Sequence, residues 1–414
     1  MRDAQVVVVG GGPAGSSTAY FLARAGIDVL VLDRARFPRD KPCSEYLSPQ
    51  ASRILEAMGA LDSVESSGAA QLTGMRVHAP NGATIHGEFA ATHGYRGFRD
   101  RGLAVRRTIL DSLLLQRARD AGARVEEGVR ITDVVRDHGG RVTGVVAAAR
   151  GGTSRVITAD MVIGADGLRS VIGRRLGLIR ASRWPRRIAL VTHYRNVRGV
   201  RQFGEMHVDR SGYLGYADVG NGLTNVAVVV PVSRAAEVAA DRTEFLESWI
   251  AERPAIAELF CEAERVDPVR ATGPFASAAK RAWTPGAALV GDAADFFDPF
   301  TGEGIYTALR GGELLADHVV EFCTAGERLA KRDEAIRAYD RARRTEFSGK
   351  WKVERLVGAA VAFPALINRA AKVLSRRRDM ADLLVGVVGD FVPAREVLSP
   401  SYLLKLMLTP TAAR

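Results

Sequence analysis

Cysteine and lysine are the scarce residues of this 414-residue chain, which has three Cys and only seven Lys among 58 basic residues. Cys43, Cys261 and Cys323 are too few and too scattered for a disulfide framework, and no Cys-x-x-Cys or His-x-x-x-His spacing suggests zinc. No metal is expected, and the compartment is expected to be reducing and cytoplasmic. The chain also lacks a run of 18 apolar residues, which argues against a membrane span. An apolar, strand-like run already begins at Gln5, so no signal peptide is expected. Internal repeats and low-complexity tracts are absent. With 47% hydrophobic and 25% charged residues, disorder, collagen and coiled coil are excluded, and the length allows two to three domains, roughly.

What the chain does have is positive charge. The formal net charge is +11, which admits nucleic acid, an anionic membrane or an acidic partner. The excess is local: residues 325–414 hold 18 basic and 10 acidic residues, a net of +8. It includes Arg376-Arg377-Arg378, beside the apolar stretches 357–367 and 383–388 and near 403–408. A basic amphipathic element of this kind suits a peripheral position on an anionic membrane surface, or docking of an acidic carrier protein. No basic-aromatic module accompanies it, so nucleic acid is not expected.

The strongest local pattern lies in the first forty residues. Val6 to Val9 read as a buried strand, followed by Gly10-Gly11-Gly12-Pro13-Ala14-Gly15, a helical stretch, and a second strand-like run ending at Asp33. This is a βαβ unit with a dinucleotide fingerprint: Gly10 for the turn, Gly12 for close approach of a pyrophosphate, Gly15 for helix packing. The helix N-terminus offers free N–H groups to the phosphates. Asp33 stands where an acid accepts a ribose hydroxyl, with Arg34 beside it. Further along, Asp166-Gly167 and Gly291-Asp292 each end an apolar strand, where acids face the ligand crevice of an α/β sheet.

Together these motifs resemble the FAD-dependent oxidoreductases of the p-hydroxybenzoate hydroxylase and geranylgeranyl reductase superfamily, over roughly residues 5–320. The resemblance implies an α/β fold: a Rossmann-type FAD-binding domain with a parallel sheet, an inserted, mostly antiparallel substrate-binding sheet, and a C-terminal helical segment. The corresponding boundaries are 1–72, 103–182 and 276–324 for FAD, 73–102 and 183–275 for the substrate sheet, and 325–414 for the helices. Asp292 would bind a ribityl hydroxyl. The segment Pro299, Gly302-Glu303-Gly304, Ile305 would open a helix aimed at the flavin, its bare N–H groups stabilising negative charge on the reduced ring. Cofactor contacts are further expected from Pro13, Ala14, Ser44, Arg107, Ile131 and Asp166.

Two chemistries share this scaffold. The loop Lys41-Pro42-Cys43-Ser44-Glu45 resembles the Lys-x-Cys-Gly-Gly loop of geranylgeranyl reductases, with Ser44 and Glu45 in place of the glycines. Cys43 and Glu45 are therefore the catalytic candidates, with His207, Tyr213, Tyr216 and Asp218 as further acids or bases; Tyr213 and Asp218 fall on opposite faces of one strand. The departure at Ser44-Glu45 favours a monooxygenase: NAD(P)H reduces FAD, O2 adds at flavin C4a, and the hydroperoxide hydroxylates a small lipophilic, phenolic or polyketide-like secondary metabolite. The alternatives are a reductase of isoprenoid or lipid alkenes and a non-catalytic FAD-binding protein. No second glycine fingerprint follows, so NAD(P)H is expected as a transient reductant. The Trp-x-Trp-x-Ile-Pro pattern of tryptophan halogenases is absent, which sets chlorination apart.

Overall fold

The computed structural model describes residues 2–90, 93–148, 154–181 and 186–410; the expected boundary at 182/183 lies outside them. The first apolar run forms the strand Ala4–Val9, flanked by Val29–Asp33 and Arg155–Gly164, both parallel to it. Ala287–Leu289 and Arg124–Glu127 extend the sheet on either side. Its central strands are almost purely apolar because they are buried on both faces, so no polar alternation is required of them. The helices Pro13–Arg24, Arg107–Asp120 and Gly304–Thr324 pack together beside this sheet.

A second sheet follows the order Glu264–Arg265, Arg187–Arg195, Thr224–Pro231, Gly212–Asp218, Phe203–Asp209, Gly74–His78, Thr84–Glu88. It is antiparallel throughout this order except where Phe203–Asp209 meets Gly74–His78, which comes from a distant part of the chain. Side chains alternate across it. Leu190, Leu214, Val226 and Val228 pack with Leu246 and Trp249 on one side, while Ala189, Val191, Tyr213 and Val229 cluster on the other with residues of the C-terminal helices.

After residue 325 the chain is helical. Leu329–Ala362 runs for 34 residues, and Pro364–Leu374 turns away from it by 109°. Pro364 is the cause, since its ring cannot sit inside a helix and is tolerated at a first helical position. Two further helices, Arg378–Val388 and Pro400–Leu408, complete this region's main elements. No single helix among the described residues is long and apolar enough to cross a membrane.

Candidate functional site

A cavity of about 700 Å³ lies between the two sheets, with Trp351 and Glu354 of helix Leu329–Ala362 in its wall. Of the residues expected at the site, Gly10, Gly12, Pro13, Ala14, Asp33, Arg34, Cys43, Ser44, Arg107, Ile131, Asp166, Asp292, Pro299, Gly302, Gly304 and Ile305 all line it. Gly15 and Glu45 do not.

Gly15 supports the site from behind: a Cβ there would stand 1.8 Å from the Gly10 carbonyl oxygen, so the helix can meet the turn only as glycine. Gly12 is different. Its Cβ direction is open apart from Arg39 Nη2 at 3.2 Å and Arg107 Nη2 at 3.9 Å, which leaves a bare backbone beside two guanidinium groups. Asp111 holds both cations there. Its carboxylate accepts two hydrogen bonds from Arg107, at 2.7 and 2.8 Å, and lies 2.9 Å from Arg39. Burial works against the Arg107 charge, but Asp111 outweighs it and holds the guanidinium charged. Helix Pro13–Arg24 begins at Gly12 with no side-chain cap, so its first N–H groups are left for a ligand.

Asp33 accepts the backbone N–H groups of Gly11 and Ala35, both at 2.7 Å, and so fixes the glycine turn while keeping a lone pair on each oxygen. Asp166 accepts from Val171 N at 2.6 Å and Ile172 N at 3.3 Å, starting the short helix after its strand; burial raises its pKa. Asp292 lies 3.6 Å from Lys41. At the far end, Gly302 takes a left-handed conformation, φ 72°, and helix Gly304–Thr324 starts without a side-chain cap. A glycine cradle with two cations, an acid at the end of the second strand and an uncapped helix beyond fit the pyrophosphate, ribose and flavin ends of FAD in turn.

The structure changes the reading of Glu45. Its backbone is left-handed, φ 61°, a conformation that favours glycine, which accounts for the glycine at this place in the reductase loop. Its carboxylate points away from the cavity. One oxygen accepts Arg107 N at 2.8 Å; the other meets His193 Nε2 at 2.7 Å and Asn225 Nδ2 at 3.2 Å. His193 in turn faces Asp267 at 2.9 Å. Glu45 is thus a buried anchor between the two sheets, placed away from any substrate, whereas Cys43 and Ser44 face the cavity.

The other acid and base candidates separate. Tyr213 lines the cavity from the face it shares with Ala189 and Val229, whereas Tyr216 packs with Leu214 and Trp249 on the opposite face; Asp218 does not line it, its Oδ1 accepting Gly220 N at 2.8 Å in a turn. His207 stacks on His78 at 4.2 Å and Glu205 bonds His78 at 2.8 Å. Those three are close enough to hold a metal ion, but Arg76 approaches Glu205 at 3.3 Å, which makes the group an ion network along the strands. Burial lowers the His207 pKa to about 4, with His78 adding to the effect.

Sequence reasoning missed the far wall. Tyr213 donates to Asp298 at 2.9 Å, Asp298 pairs with Arg187, and this buried trio fixes the loop before Gly302. Phe275, Phe296, Phe297, Phe300 and Trp351 make the wall aromatic. Glu303 and Glu354 also line it. Lys350 stands 3.1 Å from Glu303, pairs with Asp390 and stabilises Glu354, so one buried cation serves three carboxyls. Three negative charges cannot all persist around one positive charge in such a place, so at least one carboxyl keeps a proton. Burial pushes Glu354 up to about 7 and raises Glu303 well above the usual range. Within the C-terminal helical segment, no local pattern marks Glu354 as a cavity residue.

A family model described as an FAD binding domain matches residues 3–348. Digeranylgeranylglycerophospholipid reductase 2 of Methanopyrus kandleri is 30% identical over 404 residues, covering 95% of this chain and 96% of that protein. Menaquinone reductase of Mycolicibacterium smegmatis is 29% identical over 403 residues, with 94% and 92% covered. Among solved structures, the myxobacterial chondrochloren halogenase matches with a TM-score of 0.80 at 25% identity, over 99% of this chain and 98% of that one.

Proposed function

The chain belongs to the FAD binding domain family, within the superfamily of p-hydroxybenzoate hydroxylases and geranylgeranyl reductases, and on that premise we propose that it reduces a carbon–carbon double bond of a lipophilic, isoprenoid-type substrate. The observation that carries the reading is the pair of buried carboxyls Glu303 and Glu354 on the aromatic stretch of the cavity wall, which share the single cation Lys350 with Asp390 and whose pKa values burial raises. Bound FAD supplies the hydride. The second hydrogen must arrive as a proton, and Glu354 holds one at a carboxyl oxygen facing the substrate space. The aromatic wall excludes water and orients an apolar chain; Arg39 and Arg107 hold the cofactor's phosphates, and Asp292 its sugar alcohol. Electrons come from NAD(P)H visiting transiently.

The departure at Ser44-Glu45 no longer weighs against reduction, because the Glu45 carboxylate is turned into a structural network and leaves the cavity face of the loop to Cys43 and Ser44. Similarity to reductases along nearly the whole chain supports the same reading. Hydroxylation of a lipophilic phenol, with O2 as co-substrate, is the second reading, favoured by the ring-shaped contacts that Phe275, Phe296, Phe300 and Tyr213 offer.

The test is a pair of turnovers, anaerobic and under ¹⁸O2, with mass detection of the product from polyprenyl lipids, isoprenoid quinones and alkyl phenols. A gain of two hydrogens without oxygen is expected; a gain of one labelled oxygen would replace reduction by hydroxylation.

A further inference from the structure

The helices Pro364–Leu374 and Pro400–Leu408 expose large apolar side chains: Leu366 is 43% exposed, Leu404 56%, Met407 56% and Leu408 73%. They are not scattered. Arg369 donates to the carbonyls of Leu406, Met407 and Thr409 at 3.2, 2.7 and 2.6 Å, which ties the two shorter helices side by side. Leu366 lies one turn before Arg369, and Leu404, Met407 and Leu408 share one helix face by their spacing of three and four. The apolar surfaces therefore adjoin, and a contiguous patch of this kind marks an interaction site.

Charge identifies the occupant. From 355 to 378 the sequence has six basic residues and no acid, and from 397 to 410 it has Lys405 and no acid. Arg355, Lys372 and Lys405 are exposed. Arg377 and Arg378 are paired with Asp379, Glu88 and Asp382, which leaves the exposed Lys372 and Lys405 beside the apolar side chains; that combination matches an anionic bilayer, whose headgroups attract the cations while its hydrocarbon edge accepts the apolar tips. An acidic protein would answer the charge but leave Leu404, Met407 and Leu408 unexplained. The geometry also excludes a straight span: the long helix and Pro364–Leu374 are apolar enough as a pair, yet they bend by 109° at Phe363.

We propose that this two-helix face docks on the surface of an anionic phospholipid bilayer, with Leu366, Leu404, Met407 and Leu408 inserted and Lys372 and Lys405 at headgroup level. Glu354, on the cavity wall, precedes the helix end at Ala362 by eight residues, so the cavity lies about 12 Å along that helix from the start of the patch. A lipid dissolved in the bilayer is thereby met close to the site that acts on it. The inference goes beyond the proposed reaction and holds for reduction or hydroxylation alike.

The experiment is cosedimentation of the full chain, supplied with FAD, with phosphatidylcholine vesicles that contain or lack phosphatidylglycerol. Binding is expected only with the anionic lipid and should weaken as salt rises. The combined substitution Leu366→Ser, Met407→Ser, Leu408→Ser, and separately Lys372→Glu with Lys405→Glu, should each weaken it by about tenfold or more. Retained quenching of flavin fluorescence shows that each variant is folded; Leu408→Ser alone serves where the triple variant loses it. Equal binding with and without phosphatidylglycerol, no vesicle binding, or native-like binding by the variants would overturn the proposal. So would self-association that the three serines abolish, or binding to an acidic carrier protein without vesicle binding. Turnover of detergent-dispersed substrate is unaffected by any of these outcomes, so failure here is distinguishable from failure of the reaction.

Discussion

The carboxylate of Glu45 accepts the backbone N–H of Arg107 at 2.8 Å, so the residue that breaks the reductase-like loop also receives the first N–H of the helix that presents Arg107 to the cofactor site. The same carboxylate reaches across to His193 and Asn225 on the second sheet. Three separate parts of the chain thus converge on one buried side chain.

Glu45→Ala removes the partner of all three and leaves a buried N–H unpaired, and is expected to destabilise the fold by about 3 kcal/mol. Glu45→Gln, which keeps an acceptor for Arg107 N, should lose less than half of that. Urea unfolding followed by tryptophan fluorescence measures both. A Glu45→Ala protein as stable as the parent but without turnover would instead make Glu45 catalytic.

The last two glycines of the fingerprint are expected to fail differently. Gly12→Ala places a methyl group near only the flexible end of Arg39, so stability should change by less than about 1 kcal/mol. That methyl occupies the face a pyrophosphate must approach, and FAD affinity should fall at least tenfold, roughly. Gly15→Ala puts a methyl 1.8 Å from the Gly10 carbonyl oxygen and should destabilise the apo fold itself by about 3 kcal/mol. Thermal melts with and without FAD separate the two effects; equal melting losses for both variants would refute the distinction.

Asp292→Ala should weaken FAD binding by about 1.5 to 3 kcal/mol through loss of a charge-assisted hydrogen bond, with little change in apo stability because its ion pair with Lys41 is long, 3.6 Å, and partly exposed. Titration of flavin fluorescence gives the affinity. An unchanged dissociation constant would remove Asp292 from the cofactor site.

The cofactor half of the site was legible because its physics is local. Gly10, Gly12 and Gly15 act within six residues, and Asp33, Asp166 and Asp292 each end a strand that sequence reading could place. Their gathering on one cavity needed only the general topology of parallel α/β sheets. Glu45 was misjudged because its direction depends on a left-handed backbone and on His193, 148 residues later, neither of which a local pattern encodes. Glu354 escaped for the same reason. A helix face becomes a cavity wall only through the element it packs against.

The last prediction concerns that wall. Burial raises the Glu354 carboxyl from an ordinary 4.5 to about 7, while Lys350 pulls the other way. Between those two pH values the folded chain keeps a proton that the unfolded chain has released, so this group's contribution to stability is present below about pH 4.5 and is lost as pH rises through about 7. Glu354→Gln keeps the neutral shape and cannot ionise. Relative to the parent, it should gain about 1 to 3 kcal/mol of stability between pH 5 and pH 8, read from urea midpoints. If Glu354 also delivers the second hydrogen, the substitution should lower turnover by about a hundredfold with FAD affinity unchanged, and parental turnover should decline above about pH 7. A variant that shows the stability gain but keeps parental turnover and pH profile would leave Glu354 a structural acid and direct the search for the proton donor to Cys43, which also lines the cavity.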